Sequence, residues 1–283
     1  MGKARSVLIT GASTGIGRAA ALLLDSKGWG VFAGVRRDAD GRSLREAASE
    51  RLVPVTIDVT DPASIAAAAT QLDSELGDSG LDGLVNNAGV AVPGPLETLP
   101  IPDLRRQLEI NLIGQVEVTQ AMLPAIRRAG GRTVFVSSVG GRTALPFTGA
   151  YHASKFGIEA IGDSLRQELR PWGLRVSLVE PGAVATPIWE KGQGAADEIT
   201  ERAPEQHDRL YGATIERYRE TVRKIAARGV PPEQVAEAIE HALSARKPKT
   251  RYLVGREAKI QARLGAILPD RVFDRLIARE MGL

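Results

Sequence analysis

Short apolar segments alternate with longer amphipathic segments over the first two thirds of the chain. The apolar segments are rich in β-branched residues and predict strands at residues 6–10, 31–35, 53–57, 83–86, 133–137 and 176–180. Apolar positions at helical spacing predict helices at residues 16–27, 62–76, 102–127 and 151–169. Most of the strand segments are continuously apolar, as expected for strands buried on both faces. The alternation therefore predicts a doubly wound parallel α/β sheet with right-handed crossovers.

The pattern changes after residue 186, where polar sequence of helical character begins. We interpret residues 187–228 as a helical lid over the ligand site, with Gly192 and Gly194 as hinges. A helix at 231–245, a short strand at 252–254 and an amphipathic helical segment at 258–283 complete the chain. Because no linker or repeat interrupts residues 1–283, we predict a single domain. It comprises a core at 5–186, the lid, and the C-terminal helices and last strand at 229–283.

Composition excludes several classes of site. The net charge is only +3 and the basic residues are scattered, which argues against a nucleic-acid surface. There are no cysteines, so disulfides, thiolate zinc sites and a cysteine nucleophile are excluded. His152, His207 and His241 are isolated, and we predict no metal site. The apolar run at residues 7–9 is too short for a signal peptide or a membrane span, which predicts a cytoplasmic protein with no integral membrane segment.

A glycine-rich turn joins the first predicted strand to the first predicted helix. It contains Gly11, Ser13, Thr14, Gly15, Ile16 and Gly17 at the spacing G-x-x-x-G-x-G. Glycines let a backbone approach a pyrophosphate, and the N–H groups of the following helix stabilise the negative charge. A plain strand-to-helix turn can have the same composition. The position of the turn at the first junction is what favours nucleotide binding.

Tyr151 and Lys155 lie four residues apart in a predicted helix and therefore share one face of it. A free tyrosine has a pKa of about 10, which is too high for efficient proton exchange at neutral pH. Lowering that pKa to about 7 requires roughly 4 kcal/mol of preference for the phenolate. Positive charge held nearby in a water-poor pocket supplies such a preference. The same spacing also arises by chance on amphipathic helices, so the pair alone is weak evidence.

Two further polar residues stand where a site in this kind of sheet would form. Ser138 follows the strand predicted at 133–137, and hydroxyls at carboxyl ends of strands face the crevice where ligands bind. Asn111 lies inside a predicted helix although asparagine is a poor helix former. Its apolar neighbours on both sides indicate that Asn111 is partly buried and hydrogen-bonded. The alternatives are an ordinary strand-end serine and a solvent-facing asparagine.

Together, these features resemble the short-chain dehydrogenases/reductases. The likeness rests on TGASTGIG at 10–17, NNAG at 86–89, Asn111, Ser138, the pair Tyr151 and Lys155, and PGAVAT at 181–186. It covers about residues 5–186, and the joint match in motif and order is highly specific. The resemblance implies a Rossmann-type sheet of about seven strands, a nicotinamide cofactor, and a catalytic tetrad of Asn111, Ser138, Tyr151 and Lys155. The C-terminal part is similar, more loosely, to the hydroxysteroid and retinol dehydrogenase branches.

The resemblance also implies roles toward the cofactor. Lys155 would hold the nicotinamide ribose, Asn111 would position a water in a proton relay, and Thr186 would bind the nicotinamide amide. Asp58 would contact the adenine. Further cofactor contacts are implied for Val59, Asn87, Ala88, Gly89, Pro181, Gly182 and Val184, besides Tyr151 and the glycine-rich turn. The charge of an oxidised nicotinamide ring would add to that of Lys155 in lowering the pKa of Tyr151.

Cofactor preference is expected to depend on the residues after the second strand. Val35 stands where NAD-type relatives place an acid that bonds the ribose hydroxyls, and Arg36 can instead pair with a 2′-phosphate. Thr14 weakens the case for NADP(H), because many NADP-type relatives carry Arg or Lys at that position. We expect NADP(H) to be preferred, with NAD(H) as the alternative.

The expected substrate is a bulky, mainly apolar secondary alcohol or ketone. Apolar residues flank the tetrad and the 181–186 segment, namely Val139, Leu145, Pro146, Phe147, Val184, Pro187, Ile188 and Trp189. Arg142 leaves open a clamp for a carboxylate. We expect a homodimer or homotetramer, and the family resemblance implies pairing through the helices at 102–127 and 151–169. The alternatives are a catalytically silent nucleotide-binding regulator of the same fold and a peripheral membrane protein anchored by the C-terminal segment.

Overall fold

A computed structural model of the chain describes residues 4–281. Seven strands form one sheet, namely β1 (Ser6–Ile9), β2 (Gly30–Val35), β3 (Leu52–Thr56), β4 (Gly83–Asn86), β5 (Arg132–Val136), β6 (Arg175–Pro181) and β7 (Arg251–Val254). Their order is β3-β2-β1-β4-β5-β6-β7, and every pairing is parallel. This confirms the doubly wound, Rossmann-type sheet. The order reverses between β1 and β4, and the crevice at such a reversal is where open parallel sheets bind ligands.

Helices cover both faces of the sheet. They are α1 (Gly15–Ser26), α2 (Asp38–Glu46), α3 (Pro62–Leu76), α4 (Ile101–Leu108), α5 (Gly114–Ala129), α6 (Gly149–Glu168), α7 (Ile188–Glu201), α8 (Gln206–Ala227), α9 (Pro232–Ser244), α10 (Arg256–Ile267) and α11 (Asp270–Met281). Alternate side chains of β1 enter different cores: Val7 and Ile9 pack with α1 and α9, whereas Leu8 packs with α3, α5 and α6. Strands buried on both faces explain why the strand sequences are continuously apolar.

The helices differ from the sequence-based prediction in several places, besides α2, which was not predicted. The helix predicted at 102–127 consists of α4, a π-helical turn at Glu109–Ile113, and α5. The segment predicted at 258–283 is split into α10 and α11 at Pro269, which cannot continue the helix hydrogen bonding, and its last two residues lie outside the described residues. The expected hinges were wrong, because Gly192 and Gly194 lie inside α7.

Within residues 4–281, no helix has both the length and the hydropathy that crossing a membrane requires.

Candidate active site

The carboxyl ends of the strands open into one cleft with a volume of about 1880 Å³. Its walls include the turns that follow β1, β2, β3, β4, β5 and β6, the helix α6, the two helices α7 and α8 of the predicted lid, and the C-terminal helices α10 and α11. Of the residues predicted to be catalytic or to bind cofactor, all line this cleft except Gly17. The topology of the sheet therefore brings together side chains that are up to about 175 residues apart in sequence.

The glycine-rich turn has the backbone shape that phosphate binding requires. Gly11 and Gly15 adopt positive φ angles of 65° and 55°, which are strained for residues with a side chain. A Cβ on Gly17 would lie 2.3 Å from the carbonyl oxygen of Gly11, so this glycine allows α1 to pack against the turn rather than lining the cleft. Thr14 precedes α1 without forming a side-chain cap, which leaves the first N–H groups of the helix available to an anion. These features fit the pyrophosphate of a dinucleotide.

Asn87 stabilises the turn from the neighbouring strand end. Its Nδ2 donates to the carbonyl oxygens of Thr10 and Gly11, at 2.9 and 3.1 Å. Thr186 approaches from the other side, since a Cβ on Gly15 would lie 3.0 Å from Thr186 Cγ2. The segments after β1, β4 and β6 therefore form one continuous surface of the cleft, and Asn87 stabilises the backbone of that surface.

The adenosine end of the cleft is charged. Asp58 Oδ1 accepts hydrogen bonds from the backbone N–H and the hydroxyl of Thr60, at 2.9 and 2.8 Å. Burial opposes ionisation of Asp58, but these bonds and the charge of Arg36 outweigh it and hold the pKa of Asp58 below its usual range. Arg37 is held in a bidentate pair by Asp40, with both contacts at 2.9 Å. Sequence reasoning missed Asp40, which lines the cleft beside Arg36.

Tyr151, Lys155 and Ser138 meet where β5 ends. Helix α6 begins two residues before Tyr151 and runs back along the sheet, so Tyr151 and Lys155 face the strand end together. Lys155 Nζ lies 5.8 Å from the centre of the Tyr151 ring and donates to the Val136 carbonyl oxygen at 2.8 Å. Ser138 Oγ accepts from the Gly140 N–H at 3.0 Å, which fixes the position of the hydroxyl. The predicted Ser–Tyr–Lys constellation is thus assembled by the fold.

Burial has the largest effect on the pKa values of Tyr151 and Lys155. It raises the pKa of Tyr151 above its usual value, although a hydrogen bond with Ser138 partly compensates. Burial lowers the pKa of Lys155 to about 8, against the opposing effect of the Glu159 carboxylate. The ammonium of Lys155 is therefore only moderately favoured at neutral pH. Additional positive charge in the cleft, such as that of an oxidised nicotinamide, would favour the Tyr151 phenolate.

Asn111 is fully buried in the π-helical turn and is bonded on both sides of its amide. Its Oδ1 accepts from the Val90 N–H at 2.9 Å, and its Nδ2 donates to the Val90 carbonyl oxygen at 2.9 Å. The same Nδ2 donates to Oγ of Ser154, a residue of α6, at 3.3 Å. The side chain therefore ties the π-helical turn to the segment after β4 and to α6. A water relay that starts from Asn111 stays a prediction.

Arg142 does not provide the carboxylate clamp that the sequence left open. Its Nε and Nη2 contact the two carboxylate oxygens of Glu180 at 2.5 and 3.0 Å. Glu180 itself is fully buried at the end of β6. Because this bidentate pair neutralises Glu180 and Arg142 does not line the cleft, Arg142 is committed to the protein and not to a ligand.

The substrate side of the cleft is mainly apolar. All of the predicted apolar residues line it except Pro146, and the helices α7 and α8 add Ile199, Ile215 and Val222. Phe147 is the only non-glycine residue among those described with a positive φ, at 61°. Its ring packs edge-on against Tyr218 of α8, with the ring centres 5.2 Å apart. This contact joins the loop before the catalytic helix to the predicted lid.

Comparison with known proteins gives the same assignment as the geometry. A family model for short chain dehydrogenases matches residues 5–196. The chain is 40% identical over 277 residues to retinol dehydrogenase 5 of Mus musculus, covering 96% of this chain and 87% of that protein. It is 38% identical over 281 residues to 17-beta-hydroxysteroid dehydrogenase type 6 of Homo sapiens, with the same coverage of 96% and 87%.

A solved structure shows the same fold with a bound nucleotide. It is a short chain dehydrogenase from Burkholderia cenocepacia in complex with NADP, with a TM-score of 0.72, 25% identity and 98% coverage of both chains. The family model matches more than half of this chain, and the relatives extend the likeness into the C-terminal helices. The chain belongs to the short-chain dehydrogenase family, in agreement with the motifs in its sequence.

Proposed function

We propose that this protein transfers hydride between a nicotinamide cofactor and a bulky, mainly apolar secondary alcohol or its ketone, with Tyr151 as acid and base. The observation that carries the proposal is the meeting of Tyr151, Lys155 and Ser138 in an apolar cleft beside a phosphate-binding turn. The names of the two relatives, a retinol and a hydroxysteroid dehydrogenase, support a substrate of this kind.

The side chains divide the reaction between them. A bound nicotinamide supplies or accepts the hydride at the substrate carbon. During ketone reduction, Tyr151 donates its hydroxyl proton to the substrate oxygen, to which Ser138 also hydrogen-bonds. During alcohol oxidation, the Tyr151 phenolate removes the hydroxyl proton as hydride leaves the same carbon. Reduction therefore requires protonated Tyr151 and slows as the pH rises through its pKa, whereas oxidation requires the phenolate and slows as the pH falls.

A panel of secondary alcohols and ketones tests the proposal, with each nicotinamide cofactor and with turnover followed by nicotinamide absorbance. Turnover of apolar substrates by the wild type supports an oxidoreductase. Cofactor binding without turnover of any substrate would favour the alternative, a silent nucleotide-binding regulator. The assembled constellation speaks against that alternative, because cofactor binding alone does not need the Tyr151 hydroxyl beside Ser138 and on the same helix face as Lys155. A cytoplasmic location stays a prediction.

We infer a preference for NADP(H) from the charge at the adenosine end. Arg36 lines the cleft there, and Arg37 is already paired with Asp40. A charge-assisted bond contributes about 1.5–3 kcal/mol, so Arg36→Ala should weaken NADP(H) binding by about 10- to 100-fold and leave NAD(H) binding unchanged. Arg37→Ala is the matched control and should have a smaller effect. Equal or better wild-type kcat/KM with NAD(H), or unchanged NADP(H) affinity in Arg36→Ala, would contradict the preference.

We infer a homo-oligomer paired through α5 and α6. Ile158 and Ile161 of α6 pack in the core and are not available to a partner. Ile113, in the π-helical turn just before α5, and Phe156 of α6 instead remain 44% exposed, as an interface requires. Light scattering should give about twice the chain mass of 30.2 kDa or more for the wild type, and a smaller mass for Phe156→Glu.

Ile267 provides the matched control for that experiment. It is 77% exposed on α10, away from the two helices, so Ile267→Glu should keep the oligomer. A wild-type mass near 30.2 kDa at micromolar concentration would show that the chain is a monomer.

A further inference from the structure

A partly buried ion cluster lies behind Lys155, and the proposed chemistry does not account for it. It consists of Arg142, Glu159, Asp163, Glu180 and Arg251, contributed by α6, the ends of β6 and β7, and the loop after Ser138. Glu180 is fully buried and Glu159 is 8% exposed. Carboxylates in such places lose several kcal/mol of hydration each and persist only with good partners. A cluster so costly beside a catalytic lysine suggests a role in the reaction.

Arg251 holds the two buried carboxylates together. Its Nε lies 3.0 Å from Glu159 Oε2 and 3.1 Å from Glu180 Oε1. Its Nη2 lies 2.6 Å from Asp163 Oδ2, at the exposed end of the cluster. Arg142 neutralises Glu180 from the other side. Without Arg251, Glu159 would face the charge of Glu180 with no cation between them.

Glu159 follows Lys155 by four residues and lies on the same face of α6. The packing around it is tight: a Cβ on Gly141 would lie 2.9 Å from Glu159 Cγ, 2.9 Å from the Lys155 carbonyl oxygen and 3.1 Å from Ser137 Oγ. Glu159 therefore has a fixed position, one helical turn behind the lysine. Tyr151 is eight residues away, about 12 Å along the helix axis. The carboxylate thus acts more strongly on Lys155 than on Tyr151.

We propose that Glu159 is a positioning residue for the reaction. Its carboxylate, kept ionised by Arg251, holds Lys155 in the ammonium form and so sets the pH at which Tyr151 exchanges its proton. The inference rests on the proposed function, in which Tyr151 is the acid and base.

The titration of the neighbouring groups agrees with this geometry. Glu159 raises the pKa of Lys155 against the larger, opposing effect of burial. Burial, and less strongly the charge of Glu180, raise the pKa of Glu159 above its usual value, and Ser137 and Arg251 only partly offset this rise.

The other ionisable groups around α6 act elsewhere. His152 is bonded to the Gly140 carbonyl oxygen and to Thr148, and burial lowers its pKa. The charged residues that face the cleft from α4 and the π-helical turn are Arg105, Arg106 and Glu109. Only the Glu159 carboxylate acts on the Lys155 pKa among the charged side chains described.

Glu159→Gln tests the proposal because glutamine keeps the shape and removes the charge. The pH profile of kcat for alcohol oxidation should move to higher pH by about one unit, which is a tenfold loss of rate on the acidic side. The tyrosinate absorbance assigned to Tyr151, taken as the difference from a Tyr151→Phe background, should move in the same direction. Glu159→Asp restores the charge and should bring both readouts back toward the wild type.

Asp163→Asn is the matched control. It also removes a carboxylate from Arg251, but at the exposed end of the cluster, so both profiles should match the wild type. If Glu159→Gln fails to fold, Ser137→Ala decides the question, because it removes the hydroxyl that favours ionised Glu159 and should cause a smaller shift in the same direction. Unshifted profiles in the folded Glu159 or Ser137 variant, or an equal shift in Asp163→Asn, would overturn the inference.

The two proposals fail in different ways. A wild type that binds cofactor but turns over no alcohol or ketone overturns the proposed function, while the tyrosinate titration still tests the link between Glu159 and Tyr151. A wild type whose turnover depends on Tyr151, with a Glu159→Gln profile that stays in place, overturns only the role of Glu159.

Discussion

Tyr151→Phe is expected to lower kcat by two to four orders of magnitude, which is the usual contribution of a positioned acid or base. The substitution removes the exchangeable proton and preserves the volume of the ring, so the cleft keeps its shape. Cofactor affinity should change little, because the glycine-rich turn and the free N-terminus of α1 lie elsewhere in the cleft. Steady-state turnover and a cofactor titration by fluorescence measure the two quantities separately.

Tyr252→Phe is the matched control for that result. Tyr252 belongs to β7, and its hydroxyl accepts from the Lys249 N–H and bonds His241 Nδ1, each at 2.9 Å. Tyr252 is outside the cleft, so its substitution should leave kcat close to the wild-type value. Retention of more than a few per cent of kcat in Tyr151→Phe would show that another group transfers the proton.

The strands could be predicted from the sequence because both of their faces are buried. A strand between two helical layers must be apolar at nearly every position. The run of Val7, Leu8 and Ile9 before a glycine-rich turn therefore indicates a buried strand. The helix α2 could not be predicted in the same way. Leu44 is its only large apolar residue, and its other positions are polar or small, so no apolar stripe marks it.

The catalytic residues could be predicted because their spacing reflects chemistry. The four-residue interval between Tyr151 and Lys155 puts them on one helix face wherever the helix lies. The π-helical turn at Asn111 could not be predicted, because it depends on hydrogen bonds to Val90, which is distant in sequence. A π-helical turn inside an α-helix often marks a functional site, and this one provides the link between the segment after β4 and the catalytic helix.

The position of Glu159 has a signal in the sequence, which is its four-residue spacing from Lys155. It continues the spacing of Tyr151 and Lys155 by one more turn on the same face. An acidic residue at that position of a helix is normally interpreted as solvent-exposed unless its ion-pair partner is known. That partner, Arg251, comes from β7, 92 residues later. The sequence contains the spacing, but the ion cluster exists only after β6 and β7 have paired.

The size and polarity of the substrate should also have a large effect on kcat/KM. Across a homologous series of ketones, kcat/KM should rise as apolar bulk is added, by about fourfold for each methylene that is fully buried. The reason is the wall of the cleft beyond Tyr151, where Leu145, Phe147, Ile199, Ile215 and Val222 offer apolar surface and few hydrogen bonds. Several added methylenes should therefore change kcat/KM by two orders of magnitude or more, measured by nicotinamide absorbance at fixed cofactor concentration.

A second series separates desolvation from simple size. Polar ketones of matched length, with hydroxyl groups in place of methylenes, should lose the gain, because those hydroxyls would be buried without partners. The edge-on packing of Phe147 on Tyr218 links the substrate wall to α8. If kcat/KM instead falls as apolar bulk is added, the apolar residues only pack α7 and α8 onto the sheet. The substrate would then be a short polar ketone bound close to Tyr151.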